Sequence, residues 1–321
     1  MSSEALVRDL RARLDGPVEL DRSLARLTTY RLGGPARVYV EPAHDRDVEA
    51  LGRALRAAPS IEVLTLGRGS NLVVSDDGWP GIVVRLGASF SWISPAGENG
   101  APGLIAGAAT PLPTLANWGA RRGLEGLEFL VAIPGSVGGA VRMNAGAHGG
   151  AVADRLRSVR VVDLDEPELA ELRVDELDLD YRRSNLTARQ VVLDARFALV
   201  QADEDDIKRR LESHRRHRAR TQPGAAQNAG SVFKNPPGDS AGRLVEAAGL
   251  KGLTVGGASV AELHANFFLA SSTATAQDVY DLVREVRDKV LDAFGVELEP
   301  EISFVGSFHD RRESRTGASR L

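Results

Sequence analysis

Residues 133–150 read IPGSVGGAVRMNAGAHGG, a run whose glycines are too dense for a mere hairpin turn. Glycine lets backbone approach a ligand closely, and consecutive small residues expose N–H groups in nests that bind oxyanions without needing lysine. A second such run, Gly67-Arg-Gly-Ser-Asn71, follows a β-rich stretch, and a third glycine-rich segment covers residues 100–107. The first two loops, taken singly, each read as a tight turn more readily than as a ligand site. Together they suit one long, phosphate-bearing ligand.

Working outward, β-rich runs at 61–66, 72–75, 82–86, 159–164 and 191–200 alternate with helical patterns such as 45–58, where Val48, Leu51 and Leu55 align. This order predicts an α+β fold rather than strict βαβ winding. Composition shifts over 201–224, where QADEDD opens a charged helix that ends at Gln222-Pro223-Gly224, so a domain boundary is expected near Ala202. Further on, Thr275 with Asp278 forms a capping signature, Val279, Leu282, Val283, Val286, Val290 and Phe294 share one face, and Gly295 stops the helix. Residues 307–321, SFHDRRESRTGASRL, are nearly devoid of apolar side chains and are expected to form a disordered tail.

The 321 residues, 43% of them hydrophobic, suffice for two domains with ample core. The absence of cysteine excludes disulfides, thiolate nucleophiles, thiolate zinc sites and flavin attached through sulfur. A net charge of −4 argues against nucleic acid as the main partner. The charged amino-terminal stretch reads as a short surface helix, neither signal peptide nor membrane span. The basic run 213–221, SHRRHRART, reads first as a solvated helix end suited to the helix dipole, and secondarily as a site that steers a diphosphate.

The common dinucleotide, P-loop and zinc fingerprints are missing, and no metal site is expected. Three other segments could carry chemistry. In Asp180-Tyr181-Arg182-Arg183-Ser184 an arginine follows an aromatic residue; alone, it reads as a surface arginine. In 228–236, NAGSVFKNP, a hydroxyl sits on glycine-flexed backbone ahead of Lys234 and Asn235. In 296–301, VELEPE, a strand-like alternation would put Glu297, Glu299 and Glu301 on one face, as on a solvated strand edge.

In this combination and order, TTYRLGGPA, TLGRGSNLVVSDDGWPG, GLEFLVAIPGSVGGAVRMNAGAHG, YRRS, QNAGSVFKNP, AGLKGLTVGGASVAELHANFF and LEPEISFVG resemble the UDP-N-acetylenolpyruvoylglucosamine reductase (MurB) family. The resemblance runs from about Thr28 to Gly306 and matches the family's shorter type, which lacks an insertion carrying a substrate-clamping tyrosine. It implies a two-part FAD-binding region of the vanillyl-alcohol oxidase-like (PCMH) type over 1–201, and a smaller α+β substrate-binding domain over 202–306. FAD, held noncovalently, would be lined by Gly67, Arg68, Gly69, Ser70 and Asn71, and by Ile133, Pro134, Gly135, Ser136, Gly138, Gly139 and Asn144.

The implied activity is NADPH-dependent reduction of UDP-N-acetylglucosamine enolpyruvate to UDP-N-acetylmuramate, in the cytoplasm, during peptidoglycan precursor synthesis. NADPH would reduce the flavin and leave before substrate enters the same cleft. Arg182 would bind the substrate carboxylate, and Glu301, with a raised pKa, would face it. Ser231 would protonate the α carbon with help from Lys234 or a water chain. Tyr181, Lys234 and Asn235 would contact substrate; Arg218, Arg220, Gln222 and His264 are unranked candidates for the UDP end. No membrane insertion and no obligate protein partner are expected. The alternatives are another PCMH-type FAD oxidase or dehydrogenase, and a nonenzymatic UDP-sugar binding protein.

Overall fold

Strand segments far apart in sequence pair in the computed structural model, which describes residues 3–97, 100–224 and 226–311. As a result the chain divides into two compact units, neither of them continuous. Unit 1 holds residues up to Arg22, Arg37–Arg68 and Pro80–Arg220; unit 2 holds Ser23–Ala36, Gly69–Trp79 and residues from Thr221 onward.

In unit 1, helices α1 (Ser3–Arg13), α2 (Asp45–Leu55), α3 (Leu112–Ala120), α4 (Val137–Arg142) and the long α5 starting at Glu204 accompany two sheets. The smaller sheet has the order Val18–Ser23, Pro35–Val40, Trp79–Val84, Val63–Thr65, and the last two strands run parallel with Val63 opposite Ile82. The larger, antiparallel sheet has the order Leu169–Arg173, Leu156–Asp163, Gln190–Ala198, Gly103–Gly107, Ile93–Pro95. Its middle strand, Gln190–Ala198, is buried from Val191 to Ala195 and again at Phe197, and α4 packs against it. The one acid on that strand, Asp194, is 4% exposed. It persists there because Arg160 Nε, 2.8 Å away on the neighbouring strand, neutralises it.

The structure reinterprets one glycine-rich segment. Gly103–Gly107 is a sheet strand, and its glycines answer to neighbouring backbone rather than to a ligand. A Cβ on Gly103 would lie 2.5 Å from the carbonyl oxygens of Ala96 and Phe197, and one on Gly107 would lie 2.2 Å from that of Phe90.

Unit 2 is organised by a parallel pair in which Leu72–Val74 lies beside Ser303–Val305, in register Ser303 to Leu72. A three-stranded antiparallel sheet, Thr254–Val255, Ala258–Val260 and Phe268–Ala270, packs with α6 (Ala241–Ala247) and α7 (Ala276–Phe294). Their shared core includes Val73, Phe233, Phe268, Leu282 and the fully buried Tyr30, whose hydroxyl donates to the Phe268 carbonyl at 3.0 Å. Burial without a charged partner pushes the Tyr30 phenol well above its ordinary range.

Two expected boundaries move. The division falls at Thr221 rather than Ala202, because α5 buries Ile207 and Leu211 in the unit 1 core. Of the tail expected over 307–321, residues 307–311 pack onto α7: the Phe308 ring stacks 5.0 Å from Tyr280, and Arg284 pairs with Asp310 at 2.6 Å. Residues 312–321 lie outside the described residues. Among the described residues no helix is long and apolar enough to cross a membrane.

Helix α7 begins and ends as its sequence predicts. The Thr275 side chain accepts from Asp278 N–H at 3.1 Å, Asp278 accepts from Thr275 N–H at 3.0 Å, and Gly295 closes the helix at φ 67°. Asp76 adds a second cap, accepting from Ala276 and Gln277 N–H at 2.9 and 3.1 Å. Thr275→Ala should lower unfolding free energy by about 1 kcal/mol. A urea titration checks this, and bound-flavin absorbance should be unchanged.

Candidate functional site

Unit 1 contains a cleft lined by Thr65, Gly67, Arg68, Arg85, Ala108, Ser136, Gly138, Gly139 and Arg142, among others. Its floor depends on missing side chains. A Cβ on Gly67 would come within 2.7 Å of Ser136 Oγ, and one on Gly138 within 3.0 Å of the Ala108 Cβ. Ser136 is 3% exposed, so it has little room to yield.

The polar atoms of this cleft are suited to an anion. The Thr65 hydroxyl is buried with no hydrogen-bond partner among the described residues, which is costly unless a ligand supplies one. Three arginines line the same space. Arg85 lies 3.8 Å from Glu41, whereas no carboxylate among the described residues lies within ion-pairing distance of Arg68 or Arg142. Such a cleft fits a dinucleotide diphosphate.

The nest expected at 133–139 is less open than its sequence suggests. The N–H groups of Gly135, Val137 and Gly138 donate to the carbonyls of Ile133, Thr110 and Ala108 at 3.0, 3.0 and 2.9 Å. Those of Ser136 and Gly139 have no such acceptor among the described residues. Ile133 and Pro134 shape the approach to α4 and do not line the cleft. Asn144 is 7% exposed and is occupied by the fold, donating to Asp180 O and accepting from Ala153 N–H, both at 3.0 Å.

That Asn144 contact helps hold the turn around Tyr181 and Arg182. Arg182 adopts φ 57°, an unusual conformation for a side-chain-bearing residue, and its guanidinium donates to Gly146 O at 2.9 Å. It also lies over the exposed Tyr181 ring at 4.9 Å. Ser184 of the same loop donates to Arg142 O at 2.7 Å. The glycine run at 135–146 and the Arg182 turn are thus one hydrogen-bonded assembly.

The other candidates lie in unit 2. Gly69 is buried at φ 61° against the backbone of Leu27 and Thr28, and Asn71 Nδ2 donates to Glu301 O at 3.1 Å. Neither these two nor Ser70 lines the unit 1 cleft. Ser231 is half-buried, bridged to Phe267 and preceded by Gly230 at φ 78°. One residue on, Val232 O accepts from Glu301 N–H at 2.7 Å, which brings Ser231 and Glu301 onto neighbouring backbone.

The expected one-faced alternation of three glutamates does not form. Residues 296–301 are not a regular strand. Glu297 pairs with Arg287, and Glu299 Oε1 takes the Lys234 ammonium at 2.5 Å, so these two acids face different partners. Asn235 Oδ1 accepts from Ala241 N–H at 3.1 Å and so anchors the start of α6.

Comparison with known proteins decides the family. Residues 36–171 match the FAD binding domain, and residues 222–305 match the UDP-N-acetylenolpyruvoylglucosamine reductase C-terminal domain. The UDP-N-acetylenolpyruvoylglucosamine reductase of Parasynechococcus marenigrum is 46% identical over 88% of this chain and 94% of its own length. This chain belongs to the UDP-N-acetylenolpyruvoylglucosamine reductase family. The reductase of that name from Halalkalibacterium halodurans is 38% identical over 94% of this chain and 99% of its own length. The crystal structure of the Thermus caldophilus family member superposes with a TM-score of 0.75 at 37% identity, covering 91% of this chain and all of that one. As a family member, the chain is an FAD-dependent oxidoreductase.

Sequence reasoning overlooked Thr65, Arg85 and Arg142 in the cleft, since Thr65 and Arg85 carry no motif and Arg142, within the 133–150 run, drew less notice than its glycines. It also overlooked a histidine cluster. His148, at φ 54° in the turn after Gly146-Ala147, stacks on His214 of α5 at 4.0 Å and meets His217 edge-on at 5.3 Å. Burial, then the neighbouring imidazoles, lower the pKa of His148; burial also lowers that of His214, which Glu128 partly offsets.

Two outcomes follow from this geometry. Gly67→Val should fold but lose most of its FAD, whereas Gly69→Val, whose Cβ would lie 2.3 Å from Leu27 O, should destabilise the fold itself. Flavin content and the melting temperature of flavin-stripped protein separate the two. For the histidines, unfolded imidazoles protonate near their ordinary 6.5 while the folded ones resist, so the unfolded chain binds more protons below that pH. Stability should therefore fall as pH drops through this range, and His148→Phe should lessen the fall, read as melting temperatures at about pH 7.5 and 5.5.

Proposed function

We propose that this protein reduces the enolpyruvyl ether of UDP-N-acetylglucosamine enolpyruvate to the lactyl ether of UDP-N-acetylmuramate, with NADPH as reductant, in cytoplasmic peptidoglycan precursor synthesis. The observation that carries the cofactor part is the glycine-edged cleft, in which an unsatisfied Thr65 hydroxyl meets arginines without carboxylates. Bound there, FAD would supply the two-electron redox chemistry that links NADPH to the substrate double bond.

The protein's own residues bind, polarise and protonate. Arg182 grips the substrate carboxylate as negative charge builds on it during hydride addition to the β carbon, a charge that a preorganised guanidinium stabilises increasingly. Its held turn, with the side chain already fixed on Gly146 O, lowers the cost of ordering it. Ser231 delivers the proton to the α carbon, completing addition of hydride and proton across the bond. Glu301 acts on the substrate carboxylate, and Lys234, oriented by Glu299, with Tyr181 and Asn235 supports the substrate. Gly67, Arg68, Ser136, Gly138 and Gly139 would hold the FAD diphosphate in the unit 1 cleft.

An anaerobic visible spectrum tests the reading. NADPH should bleach the flavin bands, and UDP-N-acetylglucosamine enolpyruvate alone should restore them. A protein that cannot be reconstituted with FAD, or whose flavin is reduced by an alcohol and reoxidised by oxygen but not by the enolpyruvyl ether, defeats it. In stopped flow, Ser231→Ala should leave NADPH-driven bleaching intact and slow reoxidation by substrate about 10²- to 10⁴-fold. Arg182→Ala should likewise spare bleaching and depress the second half-reaction.

A further inference from the structure

Arg142 is the least expected member of the cleft. It closes α4, is half-buried, and lines the same space as Gly67, Arg68, Ser136 and Gly139. Its guanidinium donates to three carbonyls, Leu186 O and Thr187 O at 3.0 Å each and Gln190 O at 2.7 Å. Carbonyl dipoles solvate a cation without cancelling its charge. Arginine carries five N–H donors, so two remain beyond these three bonds. No carboxylate among the described residues pairs with it, and burial lowers its pKa, as expected of a cation short of compensation. The run's backbone offers Ser136 and Gly139 N–H but no charge, because Gly135, Val137 and Gly138 have already spent their N–H groups on protein carbonyls.

We infer that Arg142 is the principal charge partner of the cofactor's diphosphate, supplying the positive charge that the glycine run itself lacks. This rests on the reading of the cleft as the FAD site. Arg142 is also a positioning residue. The loop it grips at Leu186, Thr187 and Gln190 begins at Arg182, and Ser184 bonds back to Arg142 O. Binding of the diphosphate therefore steadies the segment that presents Arg182.

Two substitutions separate charge from strut. Arg142→Lys keeps the cation and loses the fork; Arg142→Gln keeps a donor for the carbonyls and loses the charge. FAD affinity of flavin-stripped protein, read by fluorescence quenching, should stay within about threefold of wild type for Arg142→Lys and weaken about tenfold or more for Arg142→Gln. Hydrogen exchange over residues 180–190 should slow on FAD addition in wild type and less so in Arg142→Gln. The inference is overturned if the glutamine variant binds FAD as well as the lysine variant does. Should Arg142→Gln fail to fold, the lysine variant decides, since a tenfold loss with the charge intact assigns a strut role alone. Wild-type protein that takes up no FAD would instead defeat the cofactor reading itself.

Discussion

The parallel pairing of Leu72–Val74 with Ser303–Val305 is the constraint on which unit 2 depends. It joins segments separated by most of the chain, a closure whose entropy grows only slowly with length and is offset by burying Val73 beside Tyr30, Phe233 and Phe268. Contacts on both sides follow from it. Asn71 reaches Glu301 O just before the pair, and Ser75 binds Val305 O and Ser307 O at its end. Glu301 is thereby held on defined backbone beside Val232, next to Ser231, instead of trailing behind a helix.

Unit 1 meets a different demand, that of accepting a polyanion in a protein of net negative charge. Glycines at 67, 138 and 139 remove the side chains that would fill the cleft. Charge comes from arginines on separate elements: Arg68 after a strand, Arg85 beyond another, and Arg142 at the end of α4. Because Arg142 and Asn144 also hold the 180–190 segment, the backbone that shapes the cleft is the backbone that sets the Arg182 turn. The cleft and the Arg182 turn share one local framework.

Much of this was legible from local pattern. The capping pair Thr275 and Asp278, the apolar stripe of α7 from Val279 to Val290, which the exposed Phe294 does not join, and its Gly295 stop each depend on neighbours within a few residues. The buried strand Gln190–Ala198 announced itself by a near-continuous apolar run. Where the reading failed, the deciding partner was distant. Gly103 and Gly107 resembled loop glycines but yield to the carbonyls of Ala96, Phe197 and Phe90, and the 296–301 alternation dissolved because Arg287 and Lys234 claim Glu297 and Glu299. The tail from Ser307 looked free until Tyr280 and Arg284 supplied partners for Phe308 and Asp310.

Sequence alone therefore determined the α+β class, the two glycine loops, the family and the side-chain types available for the chemistry, since these reside in short motifs and their order. Only the tertiary structure decided that Gly69 and Asn71 fold with the carboxyl-terminal unit while Gly67 and Arg68 do not. It alone showed that most of the expected nest has spent its N–H groups, and that Arg142 stands in the cleft. The physical reason is that hydrogen-bond saturation and charge compensation depend on which distant backbone comes near, and no local pattern records that.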